Sequence, residues 1–272
     1  MKYIRLAILL PAIVSACASN LPQPSAEAAA ELTLTGKLRV GLHLSDQFLV
    51  ARDSGTGQFV GIAADLGRLL SDRLGRAFEP VPYANSLALT ASVGTGEWDI
   101  AFLATDPALR TKADFSRPYV EVDYGYLVRA NNARLRTTSD VDQETVRIAV
   151  PVPGNAYDLL AGTIKRAQIV PVRGGKIALA EAMSSGAVDV YAESVAVLAA
   201  AVANVAEYRL LEGRFAAAEY VILVPRGKPE ALKYVNAFID SASASGEIEN
   251  AIKRAGLNHV RVPTLDSKLR TN

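Results

Sequence analysis

The chain has 272 residues, half of them hydrophobic, which suits one large or two moderate globular units with a buried core. Its formal net charge of +1 provides no overall attraction to polyanions, so neither nucleic acid nor an acidic membrane surface is indicated as a bulk partner. Beyond residue 16, no stretch is long and apolar enough to span a bilayer.

The N-terminus has the pattern of an export signal. Lys2 and Arg5 provide a positive start, and residues 6–14 form an apolar segment that is too short to cross a membrane. Small residues then precede Cys17, the single cysteine of the chain, which resembles the lipobox of bacterial lipoproteins. We therefore expect a lipoprotein signal peptide at residues 1–16 and lipidation of Cys17. An ordinary secretory signal that is cleaved slightly later is the alternative.

Residues 17–34 lack a strong apolar period and begin with a stretch rich in Ser, Asn and Pro. Such a composition is typical of a flexible connection. We predict a tether between the anchored cysteine and the folded domain, in which the Ala-rich part from residue 26 is able to begin a short helix.

From residue 37 onward, strand and helix patterns alternate. Strands are predicted at residues 37–42, 78–83 and 99–104, with helices at 62–74 and 85–92. The first helix has its leucines on one face and ends at a glycine. This order implies a parallel sheet with helices on its faces.

The same pattern restarts after a long predicted strand at residues 119–129. The later strands are predicted at 146–150, 169–172, 188–191 and 219–224, and the later helices at 155–164, from 175, at 195–203, at 229–243 and at 247–255. We therefore expect two α/β units that meet near residues 127–133, with the last elements returning to the first unit.

The first candidate binding residues follow the strand at residues 99–104. Thr105 and the next two residues break the strand, and Arg110 follows one short turn later. Open α/β sheets bind ligands at the carboxyl ends of their strands, and a guanidinium fork matches a carboxylate. On these residues alone, Arg110 as a carboxylate ligand and Arg110 as a surface residue are equal alternatives.

The order and spacing of several short motifs resemble the bacterial extracellular solute-binding proteins of family 3, the polar amino-acid type. The matching segments are Gly-Lys-Leu-Arg-Val-Gly at 36–41, Phe-Val-Gly-Ile-Ala-Ala-Asp-Leu at 59–66, Gly-Glu-Trp-Asp-Ile at 96–100, Asp-Phe-Ser-Arg-Pro-Tyr at 114–119, Ile-Ala-Val at 148–150 and Ser-Gly-Glu at 245–247. The resemblance covers about residues 36–257.

This resemblance implies the α/β fold of type II periplasmic binding proteins. Each of two lobes is then a mostly parallel sheet flanked by helices, and two hinge strands join the lobes. Lobe 1 is expected at residues 35–127 and 222–262, and lobe 2 at 128–221, with hinges near 126–130 and 220–224. The ligand lies between the lobes and favours the closed state, because only there do both lobes contact it.

The resemblance also implies the ligand-binding residues. Arg110 lies where the family clamps a carboxylate, and Thr105 lies at the hydroxyl position that assists it. Gly154 and Asn155 open a lobe 2 helix whose backbone N–H groups complete the clamp. Phe48 lies near the family's pocket aromatic residue.

The chain departs from the family at the position that binds an ammonium group. The nearest acid is Glu193, and in another register Ala192 takes that place. Phe102 and Leu103 are expected to make the pocket less polar than in relatives. If Glu193 does not reach the cleft, a buried ammonium group lacks a charge partner, and a less polar carboxylate is then favoured as the ligand.

The residues and the resemblance together predict a binding protein and not an enzyme. It captures a small carboxylate-bearing solute, an amino acid or a related organic acid, and passes it to an ABC permease. We expect a monomer, lipid-anchored on the periplasmic or cell-surface face of a bacterial membrane, with no cofactor, metal or nucleic acid. The alternatives are a stand-alone sensor, an accessory binding protein, and a periplasmic dehydratase of the prephenate or arogenate type with Glu193 as its acid.

Overall fold

A computed structural model of the chain describes residues 22–46, 49–203 and 205–263. The predicted signal peptide, Cys17 and Phe48 lie outside these residues, so the roles assigned to them stay predictions. Within the described ranges, no helix has the length and apolar character needed to cross a bilayer.

Strands and helices alternate along most of the chain, which confirms the predicted α/β class. The strands are β1 (Lys37–His43), β2 (Ala51–Arg52), β3 (Phe59–Val60), β4 (Ala77–Tyr83), β5 (Ile100–Ala104), β6 (Ala113–Phe115), β7 (Val120–Arg129), β8 (Arg147–Pro151), β9 (Gln168–Val172), β10 (Val190–Ser194), β11 (Tyr208–Leu210), β12 (Ala216–Pro225) and β13 (Val260–Arg261). The helices are α1 (Ala26–Leu32), α2 (Ile62–Arg73), α3 (Ser86–Ala91), α4 (Asn155–Thr163), α5 (Gly175–Ser184), α6 (Val195–Val202), α7 (Pro229–Ala244) and α8 (Glu247–Arg254). Short 3₁₀ turns lie at Pro107–Thr111 and Thr138–Asp140.

One continuous sheet runs through the molecule in the order β4-β1-β5-β12-β7-β10-β8-β9. Strand β1 is parallel to β4 and β5, and β8 is parallel to β9 and β10. The two central strands, β7 and β12, run antiparallel to each other and to their outer neighbours. They therefore join two parallel halves, which we call lobe 1 (with β1, β4 and β5) and lobe 2 (with β8, β9 and β10).

The same Arg–Asp pair holds the parallel strands together in both lobes. In lobe 1, the backbone N–H, Nε and one terminal nitrogen of Arg39 donate to the fully buried Asp99 carboxylate at 2.7–3.1 Å. In lobe 2, Arg147 donates to Asp189 through the same three groups at 2.9–3.1 Å. Asp99 directly precedes β5, and Asp189 directly precedes β10. Each Arg–Asp pair therefore fixes the register of the parallel strands at the end of its lobe that is distant from the other lobe.

Phe102 and Leu103 do not line a pocket, in contrast to the expectation from the sequence. Both are core residues on β5, with 1% and 3% of their surfaces exposed. Because successive strand residues face opposite sides of a sheet, Phe102 packs edge-on against Tyr119 while Leu103 packs with Leu109 on the other face. The lower polarity that we expected at these two positions is therefore a property of the core.

Helix α1 lies inside the segment predicted as a tether and packs against α7. Its N-cap is Ser25, whose Oγ accepts a hydrogen bond from the Ala28 N–H at 3.0 Å. Ala28 and Leu32, four residues apart, are buried. The Glu31 carboxylate accepts from the Ala231 N–H at 2.7 Å. Part of the predicted tether is therefore a helix that packs against α7, because its Ala-rich sequence contains a short apolar stripe.

Candidate functional site

The hinge strands are β7 and β12, and each changes its pairing partner at a tyrosine. Strand β7 pairs with β12 up to Tyr124, and from Tyr124 onward it pairs with β10 of lobe 2. Strand β12 pairs with β7 up to Tyr220, and from Tyr220 onward it pairs with β5 of lobe 1. Both side chains are buried, and their hydroxyl oxygens lie 3.2 Å apart. The two crossings between lobes therefore meet at one polar point inside an apolar sheet.

Asn155 reaches this point from lobe 2. It is the first residue of α4, and its Nδ2 donates to the hydroxyl of Tyr220 at 3.1 Å and of Tyr124 at 3.4 Å. The preceding Gly154 is the N-cap of α4, and no side chain caps this helix. A Cβ at Gly154 would lie only 3.2 Å from the Pro151 carbonyl oxygen, so a glycine suits the close turn into the helix.

Asp46 reaches the same point from lobe 1. It follows β1, and its Oδ2 accepts a hydrogen bond from the Tyr220 hydroxyl at 3.0 Å. His43, the last residue of β1, is 2% exposed, and its Nε2 lies 3.6 Å from the same Asp46 oxygen. Burial lowers the pKa of His43, and the negative charge of Asp46 only partly opposes this shift. At neutral pH His43 is therefore uncharged and does not neutralise Asp46.

Glu193 completes the group at the end of β10. Burial raises the pKa of Glu193 to about 7, and the negative charge of Asp46 adds to this increase. The hydrogen bond from the Ser194 N–H to Oε1 of Glu193, at 2.6 Å, lowers the pKa but does not offset the burial. The charge of Glu193 also contributes to the raised pKa of Tyr124, which burial dominates. The ionisation of Glu193 is therefore coupled to the charge of Asp46, which follows β1 of lobe 1.

We call Asp46, Tyr124, Asn155, Glu193 and Tyr220 the interlobe cluster. It contains two carboxylates, two phenols held protonated by their raised pKa values, and one amide. Among the described residues, neither carboxylate forms an ion pair with Lys or Arg. Such a group is able to bind a cation, to accept hydrogen bonds from a solute, or to supply a proton near neutral pH from Glu193.

Arg110 and Thr105 lie on the lobe 1 side, outside the contacts of the interlobe cluster. Arg110 is exposed on the 3₁₀ turn, with its guanidinium carbon 5.1 Å from the centre of the Phe115 ring. In the part of the chain that the structure describes, it makes no hydrogen bond or ion pair. Thr105 is half-buried, and its backbone N–H donates to the Glu219 carbonyl oxygen at 2.8 Å. The two predicted ligand residues are thus near the end of β5, but they are not joined to Asn155 or Glu193.

The turn that carries Arg110 nevertheless borders lobe 2. Asp106 caps this turn through a hydrogen bond from the Ala108 N–H at 2.9 Å. Burial raises the pKa of Asp158, in the first turn of α4, and the charge of Asp106 adds to the shift. The charge on the 3₁₀ turn therefore affects the ionisation of a carboxyl group in the first turn of α4.

Three members of the interlobe cluster were not singled out from the sequence. Asp46 lies in a loop that follows the first strand, which is the only local signal that it offers. Tyr124 and Tyr220 lie in long apolar strands, where an aromatic residue is expected in the core. Their meeting depends on pairing between residues 96 positions apart, which no local pattern records.

A separate apolar cavity of about 570 Å³ lies in lobe 2 between α5 and α6. Its walls include Leu127, Leu179, Met183, Val197 and Tyr208, and no charged side chain lines it. A solute with a carboxylate finds no cationic side chain in this lining. We therefore place the candidate site at the interlobe cluster, where polar groups from both lobes converge. In the described ranges, no group of three or more His, Cys, Asp or Glu residues is arranged to hold a metal ion.

Residues 38–257 match the family model described as bacterial extracellular solute-binding proteins, family 3. A search of curated proteins finds no match. Among solved structures, the chain is similar to an arginine-binding protein variant from T. maritima, with 22% identity, a TM-score of 0.68, and coverage of 84% of this chain and 99% of that one. It is also similar to the protein AbpA from Streptococcus pneumoniae bound to L-arginine, with 21% identity, a TM-score of 0.67, and 82% and 96% coverage.

A third similar structure is an ancestral cyclohexadienyl dehydratase variant, with 26% identity, a TM-score of 0.52, and coverage of 86% of this chain and 98% of that one. The family match and these structures confirm the predicted two-lobed periplasmic-binding-protein fold. The lobe boundaries predicted from the sequence stay predictions.

Proposed function

Because the chain belongs to the bacterial extracellular solute-binding proteins, family 3, we propose that it captures a small amino-acid-type solute between its lobes for an ABC importer. The family consists mostly of binding proteins that act outside the cytoplasm. The solute carries a carboxylate, as an amino acid or a related organic acid does.

The interlobe cluster is the observation that carries this proposal. It takes Asp46 from lobe 1, Asn155 and Glu193 from lobe 2, and one tyrosine from each hinge strand. A solute at this point touches both lobes only when they are closed, so its binding favours the closed state. Similar structures include a protein bound to L-arginine, which supports an amino-acid ligand.

The carboxylate is assigned to the side of the cleft that is lined by Arg110 and α4. Arg110 moves from the face of Phe115 to make a two-pronged contact with the carboxylate, and Thr105 adds a hydroxyl. The uncapped backbone N–H groups that follow Gly154 and Asn155 face the same negative charge. Phe48 packs on the apolar part of the solute.

A thermal-shift screen of amino acids, organic acids and oligopeptides tests this function. At 100 times its Kd, a solute that binds only the folded protein stabilises it by about 2.7 kcal/mol. We expect stabilisation by at least one carboxylate-bearing solute, and loss of that effect in Arg110→Ala. Arg76→Ala, which removes an exposed arginine at the end of α2, is the matched control and keeps the effect. If no carboxylate stabilises the protein, the proposed function is wrong.

The protein is held at the membrane by lipid on Cys17, with the binding domain as a monomer on the periplasmic or cell-surface side. This part rests on the lipobox-like sequence before Cys17. Cys17→Ala is expected to move the protein from the membrane fraction to the soluble fraction and to abolish incorporation of labelled palmitate. Retention of both in the variant would contradict lipidation at this cysteine.

A second candidate function is a dehydratase, and one observation favours it. Burial raises the pKa of Glu193 to about 7, which suits a general acid that protonates a leaving hydroxyl group near neutral pH. A cyclohexadienyl dehydratase is among the similar structures. Incubation with prephenate and arogenate tests this alternative: turnover that disappears in Glu193→Gln establishes the enzyme, and its absence leaves the binding protein.

A further inference from the structure

The apolar cavity between α5 and α6 lies outside the interlobe cluster and shares no lining residue with it. Its volume of about 570 Å³ falls within the range of small-molecule binding sites in proteins. The lining consists of Leu, Ala, Val and Met side chains and two tyrosines, Tyr191 and Tyr208. Burial raises the pKa of Tyr191 well above its ordinary value, and the charge of Glu193 adds to this increase, so the Tyr191 phenol is uncharged at neutral pH.

The composition of α6 is a second observation that bears on this cavity. All eight residues of α6 are Val, Ala or Leu, so the helix has no polar face. A helix that is apolar on all sides is normally buried in a core. Here Ala200 and Ala201 line the cavity but are exposed to solvent, and Val205, just beyond the helix, is 39% exposed. An apolar occupant of the cavity would therefore remove further apolar surface from water.

Small side chains keep the cavity open to solvent. Ala180 on α5 and Ala200 on α6 are lining residues that are also exposed, so they lie at the entrance. The inner wall includes Leu127 and Met183, which are 6% and 3% exposed. The cavity thus has a polar-free interior and an entrance that is bordered by methyl groups, which allows a solute to enter from solvent.

The size and the chemistry of the cavity select its occupant. An α-helix fills roughly 120 Å³ per residue, given a diameter of about 10 Å and a rise of about 1.5 Å per residue, so the cavity would hold little more than one helical turn. A small molecule therefore fits better than a peptide segment. An ionised solute would lose hydration in the cavity without gaining a charged partner, which disfavours its binding.

We propose that this cavity is a second binding site, which takes an uncharged, largely hydrocarbon small molecule. The rings of Tyr191 and Tyr208 in the lining favour a ligand with an aromatic ring, since aromatic pairs attract each other beyond the burial of their surfaces. The site uses none of the residues that are assigned to solute capture between the lobes. It therefore stands or falls independently of the proposed function.

Met183 provides a local reporter for binding. The chain has two methionines, Met1 and Met183, so labelling with ¹³C-methyl methionine gives at most two signals, and Met183→Leu assigns the one from the cavity wall. The probes are 1-naphthalenemethanol, 1-naphthoate and 1-naphthylmethylammonium, which share two aromatic rings and are neutral, anionic and cationic. We expect 1-naphthalenemethanol to bind saturably and to shift the Met183 signal, and the two ions to bind at least tenfold more weakly.

Two variants that fill the entrance test the location. Ala180→Phe and Ala200→Phe add a ring at exposed positions, so they narrow the cavity without overpacking the buried core. Each should weaken 1-naphthalenemethanol binding at least tenfold. Ala161→Phe adds the same ring at an exposed position of α4 outside the lining and should leave the affinity unchanged. Thermal unfolding of all three variants checks that they are folded.

Several results would overturn the proposed second site. These are the absence of 1-naphthalenemethanol binding, binding that leaves the Met183 signal unchanged, equal affinity for the neutral and the charged probes, and unchanged affinity in both entrance variants. Each of them leaves solute capture between the lobes standing, because the thermal-shift screen and Arg110→Ala test that function separately.

Discussion

Burial of polar side chains costs free energy unless they are hydrogen-bonded. Individual residues of the interlobe cluster therefore determine its hydrogen bonding and its response to pH. Tyr220 is the residue that connects them, since its hydroxyl donates to Asp46 and accepts from Asn155. Glu193 is the residue that titrates, since burial moves its pKa into the neutral range. The cluster thus links hydrogen bonding across the lobes to the charge of one carboxyl group.

Glu193 should make the ligand-free protein less stable as the pH rises. The pKa of Glu193 is about 7 in the folded protein, whereas an ordinary glutamate has a pKa of 4.5, so the folded state binds the proton more tightly. The stabilisation that comes from this tighter proton binding is fully present below about pH 4.5 and is lost as the pH rises through 7. Glu193→Gln should therefore be more stable than the unsubstituted protein at pH 8, by at most about 3 kcal/mol, and similar to it at pH 4.5.

Urea unfolding at pH 4.5 and pH 8 measures this difference, with Glu181→Gln as the exposed control. Equal stability of Glu193→Gln and the unsubstituted protein at both pH values would show that Glu193 is not in a desolvated site.

Tyr220→Phe should destabilise the protein by about 2 kcal/mol, because it removes the hydroxyl that donates to Asp46 and the nearer of the two hydroxyls that accept from the Asn155 amide. Tyr119→Phe is the matched control. Tyr119 is a fully buried tyrosine whose hydroxyl has no hydrogen-bond partner in the described ranges, so its loss should cost close to nothing. Urea unfolding at one pH compares the two, and equal costs would contradict the assigned network.

At this scale, sequence reasoning reaches a residue where a resemblance marks its position. The resemblance implied that Asn155, after Gly154 at the start of a lobe 2 helix, takes part in ligand binding. The structure bonds its side chain to the two hinge tyrosines, and its role in ligand binding stays a prediction. Glu193 was predicted as the nearest acid, with its orientation left open. Asp46 and Tyr220 were not predicted, because their role depends on which strands become neighbours.

At the scale of elements, the Arg–Asp pairs of the two lobes have the same hydrogen bonds but differ in solvent exposure. The Asp99 side chain is fully buried, and Arg39 is 16% exposed, whereas Arg147 and Asp189 are 40% and 32% exposed. Deletion of one partner of an ion pair lowers the free energy of unfolding more when the pair is buried, because the remaining charge has neither a partner nor water. The same geometry should therefore contribute unequally in the two lobes.

Asp99→Ala should cost about 3 kcal/mol of unfolding free energy, and Asp189→Ala about 1 kcal/mol, since solvent screens the more exposed pair. Urea unfolding of both variants at neutral pH provides the comparison. A larger loss in Asp189→Ala than in Asp99→Ala would contradict the argument from burial.

Element positions were largely predictable, and their boundaries were less so. Long apolar or periodic segments such as β7, β12, α2 and α7 were found, since hydrophobic pattern alone determines them. The two- and three-residue strands β6, β11 and β13 were missed, because so few residues carry no period of their own. Helix α1 was only suggested, since alanines make its buried stripe hard to see.

At the scale of the molecule, two parallel halves are joined by two antiparallel strands that cross at a pair of buried tyrosines. We expect closure to need only small changes near Tyr124 and Tyr220, because each lobe has its own set of parallel strands and its own Arg–Asp pair. A solute that contacts both lobes shifts the population toward the closed state by its differential affinity.

Spin labels in the two lobes test this central claim most directly. In a Cys17→Ser background, which removes the only native cysteine, labels are placed at Leu87→Cys on α3 and Ile177→Cys on α5, positions that are 64% and 75% exposed. We predict that the carboxylate-bearing solute that stabilises the protein most in the thermal-shift screen shortens the measured distance between the labels, and that Arg110→Ala reduces this shift at the same solute concentration. A distance distribution that this solute leaves unchanged would contradict capture of a solute between the lobes.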